Sequence, residues 1–148
     1  MRHVVVAVDG SAASADALRH AIAIARQSEA ALTGVFVVDD QWADFIGNDW
    51  QSARGARQGF LDYIQKEQRD QAQAARAQFE RAAGDLPHAN FALQTGDPTQ
   101  VLIDIARDDN TDLLVLNRRV FQVSGRPSLK ALASRLAKRA SRPLAIFP

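Results

Sequence analysis

The alternation of short apolar runs with amphipathic helical patterns is the feature that most constrains the fold of this chain. Three runs lack polar alternation, as is typical of strands buried on both faces of a parallel sheet: "HVVVAVDG", "ALTGVFVVD" and "DLLVLN". Two shorter strand patterns, "NFALQT" and the closing "RPLAIFP", complete the series. Helical patterns separate successive runs. The sequence therefore predicts an α/β fold: a single doubly wound domain with a five-stranded, mostly parallel sheet and helices on both faces.

Helix-start signals support this alternation. Ser11 or Ser14 is positioned to cap the helix after the first strand, and Asp97 precedes Pro98, a residue favoured at the first helical position. Four main helices are predicted, in the stretches from Ser11, from Phe60 to Ala83, from Pro98 and from Ser128 to Ala140.

The length of 148 residues fits one domain spanning residues 1–148. Residues 40–59 are predicted to be a variable loop or insertion, because they are acidic, contain three glycines and lack sustained periodicity. Trp42 and Trp50 in this stretch are expected to pack the insertion onto the body of the protein. The aspartates here match no specific cation-binding loop, so we predict no metal site.

Composition excludes several function classes. Zero cysteines rule out disulfides and thiolate metal sites and favour a cytoplasmic location. No secretory signal or membrane-spanning run is seen, which predicts a soluble protein without membrane contact. The three histidines lack ligand spacing, and no phosphate-binding, dinucleotide-binding or nucleophile-elbow motif occurs. We therefore predict that the protein is not an enzyme.

Charge is distributed unevenly along the chain. The segment 113–148 carries eight cations and no carboxylate, whereas the rest has ten cations and seventeen acids. Arg135, Lys138 and Arg139 are predicted to lie on the solvent face of the last helix. This face could bind a polyanion through counterion release, but no aromatic side chains interleave to stack bases. An ordinary solvated face is the favoured interpretation, and nucleic acid is an unlikely partner.

Several of these segments together resemble the universal stress protein family. The matching segments are "VVVAVDGS", "FVVD", "TGDPTQVLIDIARDDNTDLLVLN" and the closing helix with "RPLAIFP". The resemblance implies a doubly wound α/β domain that acts in stress tolerance rather than as a well-defined enzyme. It also implies a homodimer, often formed through the last strand, which here contains Leu144, Ala145, Ile146 and Phe147.

Many members of the resembling family bind ATP through a glycine-rich loop after the fourth strand. Its pattern is G-x-x-G, nine residues, then G-S or G-T. An ungapped count aligns these four positions with Asn117, Val120, Lys130 and Ala131, so the glycines and the hydroxyl are all absent. Val120 would disfavour a tight turn and crowd a phosphate. We therefore expect no cofactor, and ATP is possible but disfavoured.

If a ligand site is retained, the resemblance and the arginine-rich loop nominate its residues. They are Asp9, Val37, Val38, Asn117, Arg118, Arg119, Arg126 and Lys130. Asp9 could instead cap the following turn, and this interpretation is slightly favoured. The arginines either hold a different anion or close a pocket that no longer binds nucleotide, and the second alternative is favoured.

The function predicted from the sequence is that of a non-enzymatic, homodimeric stress-response protein. It would act as a regulatory or protective module on an unknown protein partner or a small anionic ligand. The alternatives are an adenine-nucleotide binder with at most slow hydrolysis, and a polyanion-binding module built on the basic helix.

Overall fold

A five-stranded parallel sheet forms the centre of the molecule in the computed structural model, which describes residues 1–50 and 55–148. The strand order is β3-β2-β1-β4-β5, and every neighbouring pair is parallel. The predicted fold class is thereby confirmed. The strands are β1 (His3–Ala7), β2 (Ala31–Asp39), β3 (Ala89–Gly96), β4 (Leu113–Asn117) and β5 (Leu144–Phe147).

Helices cover both faces of this sheet. The helices are α1 (Ala12–Ser28), α2 (Trp42–Ile46), α3 (Ala56–Ala83), α4 (Pro98–Ile105) and α5 (Leu132–Arg139). Helices α1 and α3 contact each other on one face, and α4 contacts α5 on the other. Crossovers between parallel strands are right-handed, so the direction in which the chain crosses the sheet decides which face the connecting helix covers. The chain first moves from β1 to β2 and β3 and then returns past β1 to β4 and β5, so helices lie on both faces. None of the described helices is both long and apolar enough to cross a membrane.

The core consists of the apolar side chains of the central strands and the helix faces above them. Val4 and Val6 of β1 and Leu114 of β4 are completely buried. From the helices, Leu18 of α1 and Leu136 of α5 are also buried in this core. The continuous apolar runs of the sequence therefore correspond to strands covered on both sides.

Two helix starts differ from the sequence prediction. Helix α3 begins at Ala56 rather than near Phe60, and Arg57 in its first turn donates hydrogen bonds to the carbonyls of Gly47 (2.7 Å) and Ala43 (3.4 Å). These bonds join the start of α3 to the end of α2. The predicted last helix is divided into a 3-10 turn (Pro127–Ala131) and α5.

The order of the strands creates a switch point between β1 and β4. The chain leaves β1 towards one edge of the sheet and leaves β4 towards the other, so the loops after these two strands diverge at the carboxyl edge. In open α/β sheets this is where ligands bind. Asp9 and Arg118 through Arg126 follow these two strands, and they define the region to inspect for function.

Candidate functional site

Asp9 lies at the switch point, and both of its carboxylate oxygens are already hydrogen-bonded within the protein. Oδ1 accepts from the backbone N–H of Ser11 (2.9 Å) and from the Ser11 hydroxyl, and Oδ2 accepts from the backbone N–H of Phe121 (3.0 Å). Ser11 is the N-cap of α1, and its hydroxyl accepts from the N–H of Ser14. Asp9 is only 7% exposed. Its carboxylate therefore stabilises the turn after β1 and links that turn by a hydrogen bond to the loop after β4.

The loop after β4 directs its own apolar side chains into the molecule. Val120 is completely buried, and Phe121 is 6% exposed with its ring edge-on to Phe36 at 5.7 Å. Phe121 also has a left-handed backbone (φ 65°), which is costly for a bulky residue and requires tertiary support. Its hydrogen bond to Asp9 and its buried ring provide that support. The side chain of Asn117 holds the base of the loop, bonding Arg119 N–H (2.8 Å) and the Pro148 carbonyl (3.0 Å).

Arg126 bridges the same loop to the ends of β2 and β3. Its Nε donates to Asp39 (2.5 Å) and its Nη2 donates to Asp97 (3.0 Å), while Nη1 donates to the Ser128 hydroxyl (3.1 Å). The side chains of Arg126 and Asp39 are 11% and 6% exposed. Asp97 holds the predicted N-cap position of α4 but makes no side-chain cap bond, because its carboxylate pairs with Arg126.

The protonation of Arg126 is determined by two opposing effects. Burial works to lower the pKa of this guanidinium, and the hydrogen bonds and charges of Asp39 and then Asp97 raise it. The attraction prevails, so the pKa of Arg126 lies above its ordinary value. The guanidinium therefore remains charged and holds the three loop ends together, an arrangement that we call the Arg126 bridge.

Little space remains in the crevice that these residues surround. A cavity of about 20 Å³ remains between Phe36, Val37, Phe121 and Leu129. A cavity of this size holds about one water molecule, whereas small-molecule sites measure about 300–1,000 Å³. Every buried side-chain nitrogen and oxygen among the described residues has a hydrogen-bond partner. The space between these four side chains and the buried polar groups are therefore used by the chain itself, and a depression of about 270 Å³ beside Asp9, Gly10 and Ser11 lies outside this cavity.

Three glutamine side chains of α3 form hydrogen bonds with the chain at the carboxyl edge of the sheet. The sequence analysis did not predict a role for them. Gln68 forms two hydrogen bonds with the backbone of Asp39, at 2.6 and 2.8 Å. Gln71 donates to the Val123 carbonyl (2.8 Å), and Gln78 bonds to the backbone of Gly10 and Ser11 and to the Ser14 hydroxyl. The only signal in the sequence was their spacing of three and seven residues, which places them on one helical face.

The remaining nominated residues lie outside the crevice. The side chain of Val38 lines a separate groove beside α3. Arg118, Arg119 and Lys130 are exposed, and none forms a salt bridge with another described residue. Of the nominated residues, the structure thus places Val37 in the lining of the crevice, while Asp9 and Arg126 bond to the lining residues Phe121 and Asp39. Asn117 holds the base of the loop, and the other cations lie at the surface.

The basic face predicted for the last helix is present. Leu132 and Leu136 of α5 are buried, whereas Arg135, Lys138 and Arg139 are exposed. None of these three cations pairs with a carboxylate of the described residues. Two of them lie in the last turn, where the helix dipole favours positive charge.

Taken together, the fold and this edge define a doubly wound α/β protein whose switch-point crevice is filled by its own side chains. A family model described as "Universal stress protein family" matches residues 1–148. The chain therefore belongs to the universal stress protein family and is a stress-response protein, as the sequence resemblance implied.

Solved structures with the same fold extend this finding. The chain is similar to a universal stress protein UspA from Lactobacillus plantarum, with 23% identity, a TM-score of 0.69 and coverage of 99% of this chain and 97% of that one. A universal stress protein family member from Burkholderia pseudomallei is 25% identical, with a TM-score of 0.58 and coverage of 99% and 95%. An Archaeoglobus fulgidus universal stress protein in complex with dAMP is 15% identical, with a TM-score of 0.65 and coverage of 100% and 98%. No match was found among curated proteins.

Proposed function

We propose that this chain is a non-enzymatic stress-response protein, a homodimeric regulatory or protective binding module that holds no tightly bound ATP. The observation that carries the proposal is the filled crevice, where about 20 Å³ remains. An adenine nucleotide would need several hundred cubic ångströms. Zero cysteines favour the cytoplasm as its place of action.

The side chains around the crevice support this proposal. A nucleotide would have to displace the Phe121 ring, break the two ion pairs of Arg126 and bring phosphates close to Asp39 and Asp97. Breaking a buried ion pair costs about 3–5 kcal/mol. Asp9 already accepts hydrogen bonds from Ser11 and Phe121 at its two carboxylate oxygens and is only 7% exposed. Arg126 therefore acts to close the crevice rather than to bind an anion.

The homodimer part of the proposal rests on β5. This strand is at one edge of the sheet, where its outer side is unpaired. Its four side chains are half-buried, although all are apolar. Exposed apolar edge strands favour pairing with another chain. We propose that two copies associate through Leu144–Phe147.

An adenine nucleotide is the alternative ligand, since one structural relative is described in complex with cAMP and another with dAMP. Calorimetric titration of the purified protein with Mg-ATP, and separately with cAMP, tests the proposal against this alternative. We expect heats no larger than those of dilution up to millimolar ligand. Saturable binding at micromolar concentration would overturn the proposal.

Mass spectrometry of small molecules released from the purified protein provides a second test that requires no choice of ligand. We expect no adenine nucleotide at a level approaching one per chain. A stoichiometric adenine nucleotide would contradict the proposed function even if added ATP failed to exchange with it.

A further inference from the structure

A second cavity, much larger than the crevice, lies between α2, α3 and the ends of β2 and β3. It is an open groove of about 660 Å³, within the range of small-molecule sites. We call it the α3 groove. Its apolar lining includes Val38, Trp42, Leu61, Ile64, Ala72 and Leu93.

The groove exists because α3 is longer than the strands that it covers. At 1.5 Å per residue its 28 residues span about 42 Å, whereas the eight residues of β3 span about 27 Å. The second half of α3 packs on the sheet, where the Phe79 ring lies directly over Gly34. The first half therefore extends past the strand ends. Leu93 on β3 remains 49% exposed beneath it.

Trp42 forms a rigid aromatic wall of the α3 groove. Its ring makes edge-on contacts with Phe45 at 5.7 Å and with Phe60 at 5.8 Å. These contacts hold the indole in place while part of it remains exposed to the groove. A fixed, partly exposed tryptophan presents a flat surface for stacking and an electron-rich face for a cation.

The charges that line the groove are predominantly negative. Asp40, Asp62 and Arg69 are exposed, and none of them forms a salt bridge with another described residue. The fourth charged residue, Asp39, is neutralised by Arg126. Asp40 and Asp62 accept hydrogen bonds from neutral glutamine side chains, so two carboxylates against the Arg69 guanidinium leave an excess of one negative charge. The groove therefore disfavours phosphates and attracts a positively charged group.

We propose that the α3 groove binds a planar aromatic molecule that carries one positive charge, such as an aromatic amine or amidine. Trp42 stacks on the ring system, Val38 and Leu93 cover its apolar surface, and Asp40 with Asp62 attracts the cation. This inference deepens the proposed function, since it rests on that function and names a ligand class and a site for the binding module. The groove adjoins the crevice, with which it shares Asp39, Trp42 and Gln68, but its space is accessible without opening the crevice.

Fluorescence and calorimetric titration with proflavine, a planar aromatic cation, tests the proposal directly. Anilinonaphthalene sulfonate, an aromatic anion, is the opposite-charge probe. We expect proflavine to bind one per chain, to quench tryptophan fluorescence and to bind at least tenfold more tightly than the anion. Excess Mg-ATP should leave the proflavine titration unchanged.

Two charge-matched variants locate the binding site. Asp62→Lys reverses a carboxylate that lines the groove, and Glu80→Lys reverses an exposed carboxylate elsewhere on the same helix. Both change the net charge equally, so only a local effect separates them. We expect Asp62→Lys to weaken proflavine binding at least tenfold and Glu80→Lys to change it less than twofold. In Trp42→Leu, with folding checked by circular dichroism, affinity should also fall.

Equal sensitivity to the two charge reversals, equal affinity for the anionic probe, or absence of saturable proflavine binding would each overturn the inference. Displacement of proflavine by ATP would also overturn it, because the two would then share a site. The proposed function fails on a different result, namely saturable binding of an adenine nucleotide to the wild-type protein. The two failures are therefore distinguishable.

Discussion

At the scale of single residues, Arg126 makes the charged contacts that join three loops at the carboxyl edge of the sheet. Its planar guanidinium donates in three directions, to Asp39, to Asp97 and to the Ser128 hydroxyl. A lysine would present a single point charge and could not reproduce this fork. One side chain thus joins the loop after β4 to the ends of two other strands.

Removal of the Arg126 bridge should be costly, because Asp39 would remain buried without its cation. We expect Arg126→Ala to lower the free energy of unfolding by about 3–5 kcal/mol in urea denaturation. Arg118→Ala is the matched control, because Arg118 is an exposed arginine of the same loop that forms no salt bridge with the described residues, and it should change stability by less than about 0.5 kcal/mol. Equal urea midpoints for the two variants would show that the bridge contributes nothing to stability.

At the scale of elements, α3 serves as a clamp as well as a layer of the fold. Its glutamine side chains bond the turn after β1, the end of β2 and the loop after β4, so one helix contacts the chain that follows three strands. Gly10 has a left-handed backbone (φ 82°), and a Cβ there would lie 2.8 Å from the Cβ of Ala74. The helix therefore packs on the β1 turn too closely for any other residue at position 10.

Removal of the Gln78 side chain should show how much these contacts of α3 contribute to the free energy of unfolding. Gln78→Ala would leave the Gly10 N–H and the Ser11 carbonyl without their side-chain partner, and we expect a loss of about 1–3 kcal/mol in the free energy of unfolding. Gln73→Ala makes the same change at an exposed position of the same helix and should be neutral within about 0.5 kcal/mol. A neutral Gln78→Ala would mean that water replaces the side chain without cost.

The starts of β1 and β4 are joined by another polar contact, at Asp112. The backbone N–H groups of Arg2 (2.6 Å) and His3 (2.9 Å) lower the pKa of the Asp112 carboxyl below its ordinary value. The guanidinium of Arg142 acts in the same direction. This carboxylate therefore links the amino-terminal edge of three neighbouring strands in its ionised form.

This lowered pKa predicts how stability depends on pH. Because the pKa is lower in the folded state, the unfolded chain takes up the proton first as the pH falls. The stabilisation is complete above the ordinary aspartate pKa of about 4 and is lost as the pH falls through the lower folded value. Urea titrations at about pH 6 and about pH 3 should show a smaller acid-induced loss for Asp112→Asn than for wild type. Asp109→Asn, an exposed aspartate nearby, should behave as wild type.

At the scale of the whole molecule, the two edges of the sheet differ in chemistry. Strand β5 is short and entirely apolar, and Phe147 stacks on the His20 ring at 4.2 Å. Strand β3 forms the opposite edge and mixes apolar with polar residues. Of the two described edge strands, only β5 consists entirely of apolar residues, which is why we propose the dimer contact there.

Two variants, one with an aspartate on β5 and one with an aspartate on β3, test which edge strand forms the dimer contact. We expect wild type to sediment as a dimer and Ile146→Asp to sediment as a folded monomer, since an aspartate at the contact would be desolvated without a partner. Leu93→Asp places the same charge on β3 and should leave the dimer intact. A monomeric wild type, or dissociation by both variants, would exclude the β5 interface.

The position of the site could be predicted from the sequence, but its closure could not. Asp9 and the loop after β4 follow apolar runs, and residues after strands meet at one edge of a parallel sheet. The Arg126 to Asp39 contact joins residues 87 apart, and the Phe121 to Asp9 contact joins residues 112 apart. No local pattern encodes such pairs. The glutamines of α3 were missed for the same reason, since in the sequence they look like an ordinary polar helix face.

The sequence by itself determined the number of strands, the parallel sheet and a serine cap at the start of α1, because these follow from local periodicity and local hydrogen bonds. The order of the strands in the sheet and the choice of Ser11 over Ser14 came from the tertiary structure. The sequence also determined that the glycines of the ATP-binding pattern are missing. Only the tertiary structure decided what replaced them. Once the fold brings the strand ends together, long-range ion pairs and a buried phenylalanine fill the crevice, and the overhang of α3 creates a groove beside it.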